Sequence, residues 1–319
     1  MRPKAIFLCA DPAKIDYVYT CGQKQTVAEL CEVMPTLVTA DNVSCCDLSQ
    51  VEVILSTWGM MNLTEAQLDR LPRLKAVFYA AGATDYFARP LLERGIHVVS
   101  AWRANAIPVA EFTVAQIILS LKNYFANSAA CRSPEAYRAA PNGPGCYGET
   151  VALIGDGAIS TLVKKRLEAY NLKVKVVSSF PERRTVSLEE AFSTAYVVSN
   201  HLFNHPSNQR VLTRGLFASM RHGATFINTG RGAQVDEEGM TAVLQGRPDL
   251  TALLDVTFPE PPPPGSLLYK LPNVHLTSHI AGSLNDEVHR MADYCIEDLR
   301  RFIAGEAMVH EVSLAMLEA

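Results

Sequence analysis

This chain has no surplus of positive charge. Its 29 Lys and Arg stand against 33 Asp and Glu, a formal net charge of −4, which removes the electrostatic case for nucleic acid or an anionic membrane as a partner. The basic clusters Lys164-Lys165-Arg166, Arg183-Arg184 and Arg300-Arg301 are short and separated, the pattern of solvated helix faces. Its eight cysteines form no CxxC pair and no metal-type spacing with histidine, so no metal is expected. Unpatterned thiols in that number suit a reducing compartment. The apolar run Ala5-Ile6-Phe7-Leu8 is too short for a signal peptide, and no apolar stretch reads as long enough to span a bilayer. A cytoplasmic protein is expected. With 48% hydrophobic and 19% charged residues the chain is too apolar for disorder, and its 319 residues suffice for two domains.

What is present is a rhythm of short apolar runs and helical patterns. Strands are predicted at Ala5–Cys9, Thr36–Thr39, Val53–Ser56, Ala76–Ala80 and His97–Ser100, with helices at Thr64–Arg70 and Phe87–Arg94. That alternation is the signature of a parallel α/β sheet. A long apolar helix follows, from about Ile107 to Asn127, with Pro108 in its first turn. After the loop Pro141-Asn142-Gly143-Pro144-Gly145 a second α/β series begins, with strands at Thr150–Ile154, Lys173–Val177, Ala195–Ser199, Thr225–Asn228 and Ala252–Val256. Ser283-Leu284-Asn285-Asp286 reads as a capping box opening a helix to about Ile303, stopped by Gly305. That helix is placed to return the chain to the first domain.

The run Val151-Ala152-Leu153-Ile154-Gly155-Asp156-Gly157-Ala158 is an apolar strand entering a glycine turn and then a helix. Gly155 permits the tight turn, and Gly157 lets the backbone approach a pyrophosphate at the helix N-terminus. Two features of a full dinucleotide motif are missing. Ser160 stands at the third glycine position, and Ser178 stands where the second strand normally ends in a ribose-binding acid. A missing acid removes repulsion of a 2′-phosphate, and Arg183 and Arg184 follow closely. The cofactor is therefore expected to be NADP or NAD, the arginines tilting toward NADP; the alternative is two ordinary loop arginines.

Three residues far apart offer acid–base chemistry: Arg231 in Asn228-Thr229-Gly230-Arg231-Gly232, Glu260 in Pro259-Glu260-Pro261, and His279 in Ser278-His279-Ile280-Ala281-Gly282. A guanidinium fork binds a carboxylate bidentately. A carboxylate such as Glu260 holds one ring nitrogen of a histidine such as His279 and fixes its tautomer. Each residue alone is more often structural than catalytic.

Taken in order, these motifs resemble the D-2-hydroxyacid dehydrogenases, nearly throughout the chain from about Val53. The resemblance rests on Asn105-Ala106 with Val109-Ala110-Glu111, Gly155-Asp156-Gly157, Asn228 to Gly232 with Val235-Asp236-Glu237, Leu254-Asp255-Val256 with Glu260-Pro261, and Pro272-Asn273-Val274 with His279. It implies two Rossmann-like or flavodoxin-like parallel-sheet domains with a cleft between them. Residues 1–101 with 285–319 would bind substrate and 102–284 the dinucleotide. It also implies that Arg231, Glu260 and His279 are catalytic in hydride transfer to a 2-oxo acid, and that Asp255 contacts the nicotinamide amide. The substrate carboxylate would rest on the amides of Ala81, Gly82 and Ala83, and the protein would be a homodimer. Serine at 278, where the family usually has proline, is expected to loosen the His279 loop. Glu260 argues against the formate dehydrogenase branch, which has glutamine there.

The stretch Ser56-Thr57-Trp58-Gly59-Met60-Met61 lacks the arginine that the phosphoglycerate branch uses for its phosphate. A small 2-oxo acid such as glyoxylate, hydroxypyruvate or pyruvate is expected instead. Trp58 and Met60 would form an apolar wall beside it, or else are plain core residues. A dinucleotide-sensing binding protein, corepressor-like, on the same fold is the competing reading.

Overall fold

Apolar runs flanked by turn residues become strands in the computed structural model, which describes residues 2–318; Met1 and Ala319, the outer ends of the expected substrate domain, lie outside the described residues. Internal contacts divide the chain into two units, residues 1–105 with 283–319, and residues 106–282. Each contains a six-stranded sheet.

In the first unit, β1 (Lys4–Phe7), β2 (Glu32–Val33), β3 (Val53–Ser56), β4 (Ala76–Tyr79) and β5 (His97–Ser100) run parallel in the order β2-β1-β3-β4-β5, and Glu311–Val312 adds an antiparallel edge beyond β5. Successive side chains point to opposite faces, and both faces are covered. Phe7, Leu55 and Phe78 pack with Met291, Cys295 and Leu299 of helix His289–Ala304, whereas Ile6, Ile54 and Val77 pack with Leu68 and Leu91 on the other face. This is why these strands read as unbroken apolar runs.

The second unit is wholly parallel: β6 (Thr150–Ile154), β7 (Lys173–Val177), β8 (Val197–Asn200), β9 (Thr225–Asn228), β10 (Thr251–Leu254) and β11 (Val274–Leu276), in the order β7-β6-β8-β9-β10-β11. The chain order reverses direction between β6 and β8, and ligands of such sheets bind outside the carboxyl ends of strands at that point.

Four expectations are corrected. Thr36–Thr39 is not a strand; the edge strand is Glu32–Val33, and Val38 makes only an isolated bridge to Leu8. The long apolar helix spans Trp102–Leu121, so Pro108 is inside it rather than in the first turn, and Asn123 at φ +52° separates it from Tyr124–Ala130. That helix is, by length and composition, apolar enough to cross a membrane, contrary to the sequence reading; 56% of its apolar window is buried within the protein. Ser283 does not cap the last helix. A 3₁₀ turn over Asn285–Val288 precedes it, Glu287 accepts from the Leu284 N–H, and the buried Ser283 hydroxyl has no partner among the described residues. Gly305, at φ +73°, does end it.

Candidate active site

Arg231, Glu260 and His279 follow β9, β10 and β11, so all three belong to loops at the carboxyl edge of one sheet. The Arg231 loop is held by buried amides. Asn200, at the end of β8, donates to Asn228 Oδ1 (3.0 Å) and Gln234 Oε1 (2.7 Å). The Gly230 N–H donates to Asn228 Oδ1 and the Arg231 N–H to Gln234 Oε1, while Gln234 Nε2 donates to the carbonyls of Leu202 and Phe203. Every amide has a partner, the condition under which a buried polar network rigidifies rather than destabilises. Arg231 is half-buried, and its Nη1 donates to the Gly230 carbonyl at 2.9 Å.

Gly232 packs directly on the next loop: a Cβ there would lie 2.0 Å from the Thr257 carbonyl carbon. The loop leading to Glu260 thus rests on the loop carrying Arg231. Glu237, in the first turn of the helix that follows the Arg231 loop, has its carboxyl pushed up by burial.

His279 Nδ1 and Glu260 Oε1 are 2.7 Å apart, and both side chains are about half exposed. With Nδ1–H directed at the carboxylate, Nε2 is the nitrogen left for a ligand. His279 itself occupies the left-handed region at φ +58°, sparsely populated by non-glycine residues. Asp255 holds it there. This carboxylate is 2% exposed and accepts from Thr277 Oγ1 (2.6 Å), the Ile280 N–H (2.8 Å) and the Ala281 N–H (3.0 Å). The loop is therefore fixed on both sides of His279 although Ser278 stands where proline was implied.

The glycine turn after β6 fits a dinucleotide phosphate. Gly155 has φ +106°, and a Cβ there would meet the His201 carbonyl at 2.5 Å; beside Gly157 a Cβ would enter open space. Helix Ala158–Leu167 starts at Gly157 with no side-chain cap, leaving its first N–H groups for an anion. Ser160 is 1% exposed, small enough to fill the third glycine position in the interface of helix and strand.

The first unit holds the other expected residues. The N–H groups of Gly82 and Ala83 donate to nothing among the described residues, while the Ser100 hydroxyl fixes the turn through the carbonyls of Ala81 and Gly82. Trp58 is half-buried and stacks on Tyr17. Met60 is 3% exposed and belongs to the core; within this unit it is a packing residue rather than a wall of a site.

Sequence reasoning did not single out Asn200 or Gln234. Neither has a motif of its own; their spacing from Asn228 is the only signal, and it acquires meaning only once β8 and β9 are neighbours.

The NAD binding domain of the D-isomer specific 2-hydroxyacid dehydrogenases matches residues 114–281, more than half of the chain. Glycerate dehydrogenase of Methylorubrum extorquens is 28% identical over 257 residues, covering 75% of this chain and 79% of that protein. Chloroplastic D-3-phosphoglycerate dehydrogenase 2 of Arabidopsis thaliana is 29% identical over 256 residues, covering 77% of this chain but 41% of that protein. This chain thus spans less than half the length of that second relative. The structure of D-mandelate dehydrogenase from Rhodotorula graminis superposes with a TM-score of 0.80 over 98% of each chain at 21% identity, a likeness of fold.

Proposed function

Because this chain belongs to the D-isomer specific 2-hydroxyacid dehydrogenase family, we propose that it interconverts a small 2-oxo acid and its D-2-hydroxy acid with a nicotinamide dinucleotide. The observation that carries this reading is the 2.7 Å pair of His279 and Glu260, in the same unit as the Gly155–Gly157 turn.

In the reductive direction, His279 gives a proton from Nε2 to the oxygen that develops at C2, while Glu260 holds Nδ1–H and so fixes the ring. Arg231 binds the carboxylate and carbonyl oxygen and stabilises charge that builds on them. The first N–H groups of helix Ala158–Leu167 would hold the pyrophosphate, and the nicotinamide supplies the hydride when bound. On the resemblance, the amides of Gly82 and Ala83 are assigned to the substrate carboxylate and Trp58 to the side chain of the acid; the Ala81 N–H, expected to join them, already donates to the Tyr79 carbonyl at 2.8 Å. The phosphoglycerate dehydrogenases among the relatives act on a phosphorylated acid by name, but residues 56–61 offer no arginine for a phosphate. An unphosphorylated acid is therefore proposed, handled by a cytoplasmic homodimer.

The test is an initial-rate panel of glyoxylate, hydroxypyruvate, pyruvate and a bulkier 2-oxo acid, each with NADH and NADPH. Turnover of a small acid supports the reading. A sample that binds dinucleotide yet reduces none of them, the behaviour of a sensing protein, overturns it.

A further inference from the structure

The end of β7, where a ribose-binding acid would stand, carries Ser178, and the sequence there contains no carboxylate. The folded chain nevertheless has one at that place. Asp156, between the two glycines of the turn after β6, reaches across to the neighbouring strand end. Its Oδ2 accepts from the Ser178 hydroxyl at 2.7 Å, and its Oδ1 accepts from the Ser179 N–H at 3.1 Å. The Ser178 hydroxyl in turn accepts from the Phe180 N–H at 3.2 Å, which orients its proton toward Asp156.

The charge balance of this corner follows from those bonds. A hydroxyl and a backbone N–H at the end of β7 are the donors that a 2′-phosphate would need, and Asp156 already holds both. The neighbouring arginines are engaged too: Arg184 Nε donates to the Ser178 carbonyl at 2.9 Å, and the Arg183 guanidinium lies 4.4 Å from the centroid of the Phe180 ring. Partial burial opposes ionisation of Asp156, but the Ser178 hydroxyl and the Ser179 N–H outweigh it and hold the carboxyl below its ordinary range. It is a fixed anion beside the glycine turn. A carboxylate accepts from the two hydroxyls of an unmodified ribose, and it repels a phosphate that carries nearly two negative charges.

We infer that Asp156 serves as the ribose-binding acid of this chain, supplied by the glycine turn instead of the second strand, and that it selects NAD(H) over NADP(H). The inference rests on the dinucleotide-binding reading above, and it reverses the tilt toward NADP that Ser178 and the two arginines suggest when read in sequence alone.

The test is binding, independent of turnover. NADH and NADPH are titrated by fluorescence, and 5′-AMP and 2′,5′-ADP by calorimetry, against the unaltered protein and against Asp156→Asn and Asp156→Ser. Position 156 is exposed, so both variants should fold. The unaltered protein is expected to bind NADH and 5′-AMP roughly tenfold or more tighter than their 2′-phosphorylated counterparts. Either substitution should close that gap by about tenfold, mainly through tighter NADPH and 2′,5′-ADP. A preference for NADPH in the unaltered protein, or a ratio that neither variant moves, overturns the inference and leaves the dinucleotide reading standing. Failure of all four ligands to bind overturns both.

Discussion

The carboxyl edge of the second sheet has two halves built on opposite principles. Beyond β6 the backbone is left open: Gly157 borders free space, and the helix that starts there has no side-chain cap. Beyond β9, β10 and β11 nearly every donor is matched. Asn200, Asn228 and Gln234 close the Arg231 loop with neutral amides, and Asp255 closes the His279 loop with one buried charge. The contrast teaches how one sheet edge separates its tasks. On the proposed function, the half that receives an anion keeps N–H groups unused, and the half that holds the reacting side chains leaves little slack.

The sharpest way to divide the halves is to remove chemistry without touching binding. His279→Ala should lower kcat by about 10²–10⁴-fold and leave dinucleotide affinity within error, measured by parallel rates and fluorescence titration. Equal losses in both would mean that the halves are one unit. Gly232→Ala attacks the half that carries Arg231, Glu260 and His279 through its backbone. Its Cβ would fall on the Thr257 carbonyl carbon, so the 257–260 segment must shift, at a cost of about 1–3 kcal/mol in stability and with a clear loss of kcat. Unchanged thermal unfolding and rate would show that the two loops do not depend on each other. Asp255→Asn tests the single buried charge. An amide can match only part of what the carboxylate accepts from Thr277, Ile280 and Ala281, and leaving one N–H unpaired costs about 1–3 kcal/mol. The loss should appear both in unfolding free energy and in kcat, because the same bonds hold His279 at φ +58°.

The same contrast explains what was legible in the sequence. The strands β3, β5, β6 and β9 could be read to the residue because both faces of each sheet are covered, which makes the apolar runs continuous and their ends abrupt. The short edge strand Glu32–Val33 could not, since an edge needs little burial and leaves little pattern. Arg231, Glu260 and His279 were legible as motifs, and the structure puts Glu260 on His279. The supports were not. Gln234 and Asn200 work only through neighbours brought together by sheet order, and Asp156 reaches a strand 22 residues away in sequence. A missing acid at 178 is visible in the chain; its replacement from the adjacent turn is visible only after folding.

The smallest predicted effect belongs to the open half and is read by pH. His201 ends the β8 corner that Gly155 packs against, is fully buried, and has its Nε2 2.9 Å from the Ser199 hydroxyl. Burial pushes it down to about 3 from an ordinary value of 6.5. The folded protein therefore refuses a proton that the unfolded chain accepts. Stability contributed by the neutral ring is complete above about 6.5 and erodes as pH falls from there toward about 3. Between about pH 7 and pH 6 the loss is less than about 1 kcal/mol, and it steepens further down. Replacing the ring by glutamine, His201→Gln, keeps polar atoms near Ser199 and removes the titration. Chemical denaturation at a series of pH values should then show a flatter acid limb than the unaltered protein. Parallel acid limbs would mean that His201 reaches water on protonation, and that the corner beneath the glycine turn is as open as the turn itself.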